Sequence, residues 1–390
     1  MKKIIPLALT MLSLTHLADA SPRWISVDSK VLEKIRPHLE VNHEEIFVGE
    51  KATVLKMSEA EVQSFSGTIH HRLNRCGGFA GFQNLSDAKS SADDHDQSEF
   101  GAKAIFADYS INQQTLTTPM MDQVSENEIR QMILKLTGFG TRLYSSPQGL
   151  ASSQYIRDHW TRITKLRNDV KVELVQHRGY NQPSIVLTIT GSENPEEIVI
   201  LGGHADSISD THEAPGADDN ASGIASLTET LRVLIANNIK PKKTLQFMAY
   251  AAEEVGLWGS QDLARSYKKA GKNVIGVMQL DMTLFKGTEE KDILLTTDYT
   301  NKSLTEFLGR LIDEYVKVPW GHTACGYSCS DHASWTSAGF PASYPQEANM
   351  NDSNSYIHTD MDTLETAGGN AHHAAKFAKL ALAFMMELGH

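Results

Sequence analysis

A chain of 390 residues, 41% hydrophobic and 22% charged, is long enough for more than one folding unit. Its formal net charge of −12 excludes a general nucleic-acid binder, whose footprint is basic, and favours solubility and attraction of cationic substrates. Past the first 20 residues no stretch approaches ~18 uninterrupted apolar positions, so no membrane span is predicted.

In chain order, Lys2 and Lys3, the apolar run over residues 4–17 and Ala18-Asp19-Ala20 read as a signal peptide over residues 1–20, which predicts a secreted protein. Residues 21–85 mix apolar and charged positions as a small folded module does. The stretch SDAKSSADDHDQSEFGAK, residues 86–103, is polar, acidic and Ser-rich and reads as an exposed linker open to proteolysis. Ser125 and Glu128 form a capping box ahead of Ile129, Met132, Ile133 and Leu136, with Gly138 as the stop, so a helix is predicted there. Residues 184–190 and 198–201 are β-branched runs joined by a Gly-Ser-Glu-Asn-Pro turn and predict a hairpin-like pair.

Beyond them helices (221–235, 257–269, 303–316) alternate with extended runs (244–251, 274–280, 293–297). That order predicts an α/β domain whose central mixed, largely parallel sheet carries helices on both faces. Residues 374–388 repeat apolar side chains at helical spacing and predict an amphipathic closing helix.

The chemistry gathers where apolar runs end. Glu253 and Glu254 follow the run 244–251, His204 follows EIVILGG, Asp281 follows VIGVMQL, Asp219 sits in GADDNASG and His358 in SYIHTDMDT. Ligand sites in open α/β sheets lie beyond the carboxyl ends of the strands, where these residues fall. Two divalent cations held roughly 3.5–4 Å apart need a bridging carboxylate, terminal donors on each side and a nearby unligated base, and two histidines, two aspartates and two glutamates can supply them. Mixed imidazole and carboxylate donors favour zinc, with cobalt or manganese as substitutes, over magnesium or calcium. Asp206, two residues past His204, is the natural partner of its imidazole.

The ordered segments GGHADS, APGADDNASG, AYAAEEVGLWGS, QLDM, ACGYSCSDHASW and IHTDMDTL resemble those of the secreted bacterial leucyl-type aminopeptidases of the M28 metallopeptidase family, from about Thr117 onward. The resemblance implies two zinc ions per chain, one held by His204, Asp219 and Asp281 and the other by Asp219, Glu254 and His358. It places the bridging role on Asp219, immediately before Asn220, rather than on the equally acidic Asp218. It leaves Glu253 free as general base for a hydroxide bridging the metals, and it makes Tyr327 the donor to the oxyanion. It further implies that Cys325 and Cys329 form a disulfide, that residues 21–110 are a propeptide carrying Cys76 and the acidic linker, and that residues 111–390 are the catalytic domain. Asp331 is a candidate supporting acid; His332 is expected to be structural, and His372 and His373 solvated. The sequon at Asn220 is discounted, because a glycan beside the metals would block catalysis.

The expected reaction is removal of the N-terminal residue from peptides with a free N-terminus, by a monomeric enzyme with no nucleic-acid partner and no membrane attachment after signal removal. Alternatives within the same fold are a carboxypeptidase-like amidohydrolase, a glutaminyl cyclase or a non-catalytic receptor-like module. The first-residue pocket is expected to use Met282, Tyr344, Gln346, Met350, Ser353 and Ile357. Gln346 and Ser353 stand where the leucine-selective members carry aromatic walls, which predicts a broader or more polar preference, extending to Lys or Arg.

Overall fold

The β-branched runs of the second half become strands of one sheet because both of their faces find apolar cover. In a computed structural model, which describes residues 23–39, 43–49, 51–73, 77–93, 104–209, 211–288 and 290–390, this sheet has six strands. Their order is Ala342–Ser343, Asn273–Gln279, Asn194–His204, Lys243–Tyr250, Ser184–Ile189 and Val170–Val175. The first four run parallel, Ser184–Ile189 runs against them, and Val170–Val175 pairs antiparallel with Ser184–Ile189. Alternate residues enter opposite cores, as the two-residue period of a strand requires. Val199, Leu201, Leu245 and Phe247 pack with the helices Gly223–Ala236 and His372–Gly389, whereas Ile198, Ile200, Met248 and Tyr250 pack with Leu263, Ala264 and Trp335 on the other face. The expected α/β architecture, a largely parallel sheet covered on both sides, is therefore present.

The helix Glu126–Thr137 starts as predicted, with Ser125 Oγ accepting from Glu128 N at 3.3 Å, and buries Ile129, Met132, Ile133 and Leu136 before Gly138. Three expectations are corrected. Ser184–Ile189 and Asn194–His204 do not pair as a hairpin, because Lys243–Tyr250 lies between them and hydrogen-bonds to both. The closing helix is amphipathic only in its first turns, where His372, Lys376 and Lys379 stay at least partly exposed; from Leu380 to Gly389 every residue is buried, so its second half is a core helix. Ile293–Thr296 joins a separate three-stranded sheet with Trp320–Thr323 and Pro345–Gln346 rather than the central one.

The N-terminal module is an antiparallel four-stranded sheet, ordered Glu44–Val48, Ala52–Met57, Arg23–Asp28 and Phe79–Phe82, with helices Ser29–Ile35, Glu59–Leu73 and Leu85–Asp93. The start of the predicted linker is thus helical, and Ala88 and Ala92 are buried in the module. Residues 94–103, the signal segment 1–20 and Cys76 lie outside the described residues. One apolar cluster joins the module to the rest of the chain, packing Val62, Phe65, Ile69 and Phe79 with Tyr144, Ala252, Val255 and Trp258. Among the described residues no helix is long and apolar enough to cross a membrane.

Candidate metal centre

Three parallel strands deliver the site. His204 closes Asn194–His204, Glu253 and Glu254 follow Lys243–Tyr250, and Asp281 follows Asn273–Gln279. Asp219 lies just ahead of the helix Gly223–Ala236, and His358 lies in the loop before the closing helix. All six side chains are buried, Glu253, Asp281 and His358 at 4% exposure and Glu254 at 1%. Left-handed backbone at Ala252, Met282 and His358, with φ of 53°, 53° and 57°, bends the chain beside these residues, a conformation that non-glycine residues adopt at a cost.

The donors form two triplets that share Asp219. His204 Nε2 lies 2.9 Å from Asp219 Oδ1 and 3.3 Å from Asp281 Oδ1. His358 Nε2 lies 3.1 Å from Asp219 Oδ2 and 2.8 Å from Glu254 Oε2. Neither Nε2 makes an aligned hydrogen bond, and Asp281 Oδ1 and both Glu254 oxygens likewise lack one. Donors roughly 2.0–2.2 Å from a tetrahedral ion stand on the order of 3 Å from one another, so the spacing fits zinc better than it fits hydrogen bonding. The mixed His and carboxylate set agrees.

Side chains around the donors hold them. Asp206, 3.4 Å from His204 Nδ1, accepts the N–H groups of Glu253 at 3.1 Å and Glu254 at 3.2 Å. Ser330 Oγ donates to Asp281 Oδ2 at 2.6 Å and Tyr344 Oη to the Asp281 carbonyl at 3.0 Å. Asp362 accepts the N–H groups of Asp218 and Asp219, which aims the Asp219 carboxylate at the two histidines. Asp218 turns the other way, to Leu284 N and Asn354 Nδ2. Burial raises its carboxyl to about 6 and pushes that of Glu347 well above the usual range, where the charge of Asp218 adds to the rise. Arg142, 1% exposed, donates to the carbonyls of Ala205, Pro215 and Gly216 and ties the His204 turn to the Asp219 turn. Sequence reasoning missed Arg142, Ser330 and Asp362. Asp362 had a signal, as the second acid after His358, whereas Arg142 had none.

Glu253 stands beside the triplets, and burial pushes its carboxyl well above the ordinary value, reinforced by Asp331, Glu254 and Asp281. Cations at the donors would draw it back down. Asp331, raised to about 7 by burial, accepts from Gln279 Nε2 at 2.9 Å. His332 is buried against Tyr344, with ring centroids 5.0 Å apart, as a structural residue would be. His373 is not solvated as expected: it is buried at 5% exposure, with its two ring nitrogens 2.9 Å from the Phe285 carbonyl and 2.8 Å from the Asp292 carbonyl. Asn220 is fully buried, with its Nδ2 donating to the Leu280 carbonyl at 3.0 Å.

Cys325 and Cys329 are disulfide-bonded, and Tyr327 between them is buried in the wall of a cavity. That cavity is lined by all six expected pocket residues, Met282, Tyr344, Gln346, Met350, Ser353 and Ile357, and opens onto Asp281. Its expected polarity is corrected. Gln346 Nε2 donates to Thr296 Oγ1 at 2.8 Å and to Cys325 Sγ at 3.0 Å, and Ser353 Oγ donates to the Met350 carbonyl at 3.1 Å. Their donor groups are taken by the protein, and methionine, isoleucine, tyrosine and disulfide surfaces line the cavity together with Asp281 and Glu347.

The N-terminal module covers the same region. His70 packs on His358 with centroids 4.5 Å apart, and Ser66 Oγ donates to the Glu254 carbonyl at 2.9 Å. Gly81 N donates to the Gly256 carbonyl at 3.0 Å, and a β-carbon at Gly78 would stand 3.9 Å from the Tyr327 ring.

Residues 184–385, just over half the chain and all of the donors, match the model of Peptidase family M28. The chain belongs to that family. Among curated relatives of this M28 peptidase, a probable aminopeptidase of Saccharomyces cerevisiae is 36% identical over 72% of this chain and 77% of its own. Leucine aminopeptidase 1 of Coccidioides posadasii is 35% identical over 71% and 75%. The structure of the Legionella pneumophila LapA aminopeptidase superposes with a TM-score of 0.82 at 26% identity, covering 94% of this chain and 98% of its own. Residues 104–390 alone could not supply that coverage, so the N-terminal module shares the common fold. The M28 chain is accordingly a metallo-aminopeptidase with a buried His, Asp and Glu metal site.

Proposed function

We propose that the protein is a secreted leucine-type aminopeptidase that uses two zinc ions, His204, Asp219 and Asp281 holding one and Asp219, Glu254 and His358 the other. The observation that carries this reading is the division of Asp219: one oxygen faces His204 and the other His358, at 2.9 and 3.1 Å. The ions, when bound, supply Lewis-acid polarisation of the scissile carbonyl and lower the pKa of water. Glu253 takes the proton from the attacking water and returns it to the departing amine; it is buried, belongs to neither triplet and has its backbone clamped by Asp206. Tyr327 donates from the cavity wall to the oxygen that gains charge. The largely apolar cavity beside Asp281 takes the first side chain, which agrees with the leucine aminopeptidases among the relatives.

Residues 21–110 act as a propeptide that keeps the site closed until cut in the acidic segment. Contacts of His70 with His358 and of Ser66 with the Glu254 carbonyl support that role. A panel of aminoacyl-nitroanilides, free and N-acetylated, tests the function on the trimmed enzyme. The expected order is Leu and Met above Lys and Arg, with blocked substrates inert. Turnover of the blocked substrates, or a Lys rate above that of Leu, would overturn the reading.

A further inference from the structure

Four consecutive backbone N–H groups at the catalytic corner donate to side chains. Ala251 N donates to Ser184 Oγ at 3.0 Å, Ala252 N to Gln182 Oε1 at 3.3 Å, and Glu253 N and Glu254 N to the two oxygens of Asp206 at 3.1 and 3.2 Å. The Lys243–Tyr250 strand has just ended and Ala252 adopts a φ of 53°, so these amides have left the sheet ladder and need other acceptors. Asp206 comes from the turn after His204, whereas Gln182 and Ser184 come from the entry of the antiparallel strand Ser184–Ile189.

Ser184 is itself held. Its Oγ lies 2.7 Å from His177 Nε2, and His177 Nδ1 lies 3.1 Å from Asp262 Oδ2. An ionised Asp262 only accepts, so Nδ1 carries a proton; Nε2 and the Ser184 hydroxyl share the second hydrogen bond, and in either direction Oγ keeps a lone pair for Ala251 N. Tyr180 stacks on the imidazole with centroids 5.2 Å apart, and Arg265 holds the other Asp262 oxygen at 3.0 Å. The order Ser, His, Asp is that of a nucleophilic triad, but Ser184 is fully buried and reaches no substrate.

We propose that Ser184, His177 and Asp262 form a positioning relay that sets the Ala251–Glu254 corner, and with it the directions of Glu253 and Glu254. The proposal rests on Glu253 as base and Glu254 as zinc donor. It differs from the Asp206 clamp in acting from the strand side, so the corner is gripped at both ends.

The test uses Ser184→Ala, His177→Phe and their double variant in the active enzyme. His177→Phe keeps a ring against Tyr180 while freeing the Ser184 hydroxyl to rotate. Each single change is expected to lower kcat by roughly 10-fold with KM held, the scale seen when groups supporting a metal site are removed. The double variant should fall no further than Ser184→Ala, because the relay acts as one unit. Chelator competition on metal-free protein should show one of two zinc ions bound roughly 10-fold more weakly. Asp262→Ala, at a partly exposed side chain, should give a smaller loss of the same kind and keeps the test open if a buried variant fails to fold. Unchanged kcat and zinc affinity with only a lower Tm, or fully additive losses, would overturn the proposal. A wild-type enzyme without aminopeptidase activity would overturn the functional reading instead, while the zinc competition would still report on the relay.

Discussion

Replacing Asp206 by Asn tests the clamp on the catalytic corner with almost no change in volume. One carboxylate serves two buried N–H groups, that of Glu253 at 3.1 Å and that of Glu254 at 3.2 Å, and Asp206 is fully buried. Asparagine keeps one acceptor oxygen and turns an NH2 toward the other amide, so one buried N–H loses its partner and meets a donor. That costs ~1–3 kcal/mol. The oxygen 3.4 Å from His204 Nδ1 also loses its charge, which weakens the hold on the imidazole. If the cost falls on the geometry reached in the transition state, kcat drops by about 5- to 160-fold, at ~1.4 kcal/mol per factor of ten. The assay is kcat on a leucyl-nitroanilide, with zinc content by emission spectroscopy and Tm by circular dichroism. A variant with wild-type kcat, wild-type zinc content and unchanged Tm would show that the corner does not depend on Asp206.

Metal analysis of the active enzyme is expected to find two zinc ions per chain, with activity lost on chelation and restored by zinc or cobalt; one ion or none in fully active enzyme would refute the two-triplet reading. Glu253→Ala should keep both ions and the fold while slowing turnover by roughly 10²–10⁴-fold, and loss of an ion would make Glu253 a donor instead of a base. Removing residues 21–110 after folding should raise activity on the same peptide, and equal rates before and after the cut would remove the covering role of His70 and Ser66. Burial pushes His373 down to about 4, against the pull of its carbonyl partners at Asp292 and Phe285. The unfolded chain therefore takes up this proton first, and metal-free protein should lose up to about 3 kcal/mol of stability from this residue as pH falls from the ordinary histidine value toward 4. Urea midpoints of wild type and His373→Asn compared between pH 7 and 4 should converge toward acid, and parallel curves would refute it.

Much of the site could be read along the chain because strand ends are local features. An apolar run that stops at His204, at Glu253-Glu254 or at Asp281 marks an acid or imidazole placed beyond a buried strand, and the capping box at Ser125 marks a helix start, without knowledge of any distant partner. Family motifs carried the choice of Asp219 over Asp218, since both have the same chemistry; the structure shows the reason in Asp362, which holds both backbone N–H groups and turns only Asp219 toward the histidines.

What only the tertiary structure decided were the properties that depend on partners far apart in sequence. Gln346 and Ser353 read as polar walls until Thr296, Cys325 and the Met350 carbonyl were seen to take their hydrogen bonds. The two β-branched runs read as a hairpin because a turn joins them, yet the later strand Lys243–Tyr250 enters between them. His373 and the second half of the closing helix read as half-solvated because their periodicity does not record how many sides are covered. Residue type sets which interactions a side chain can make, and local pattern sets where the chain turns. Which of those interactions are already satisfied is a property of neighbours brought in by the fold, and it decides whether a polar side chain meets substrate or only the protein.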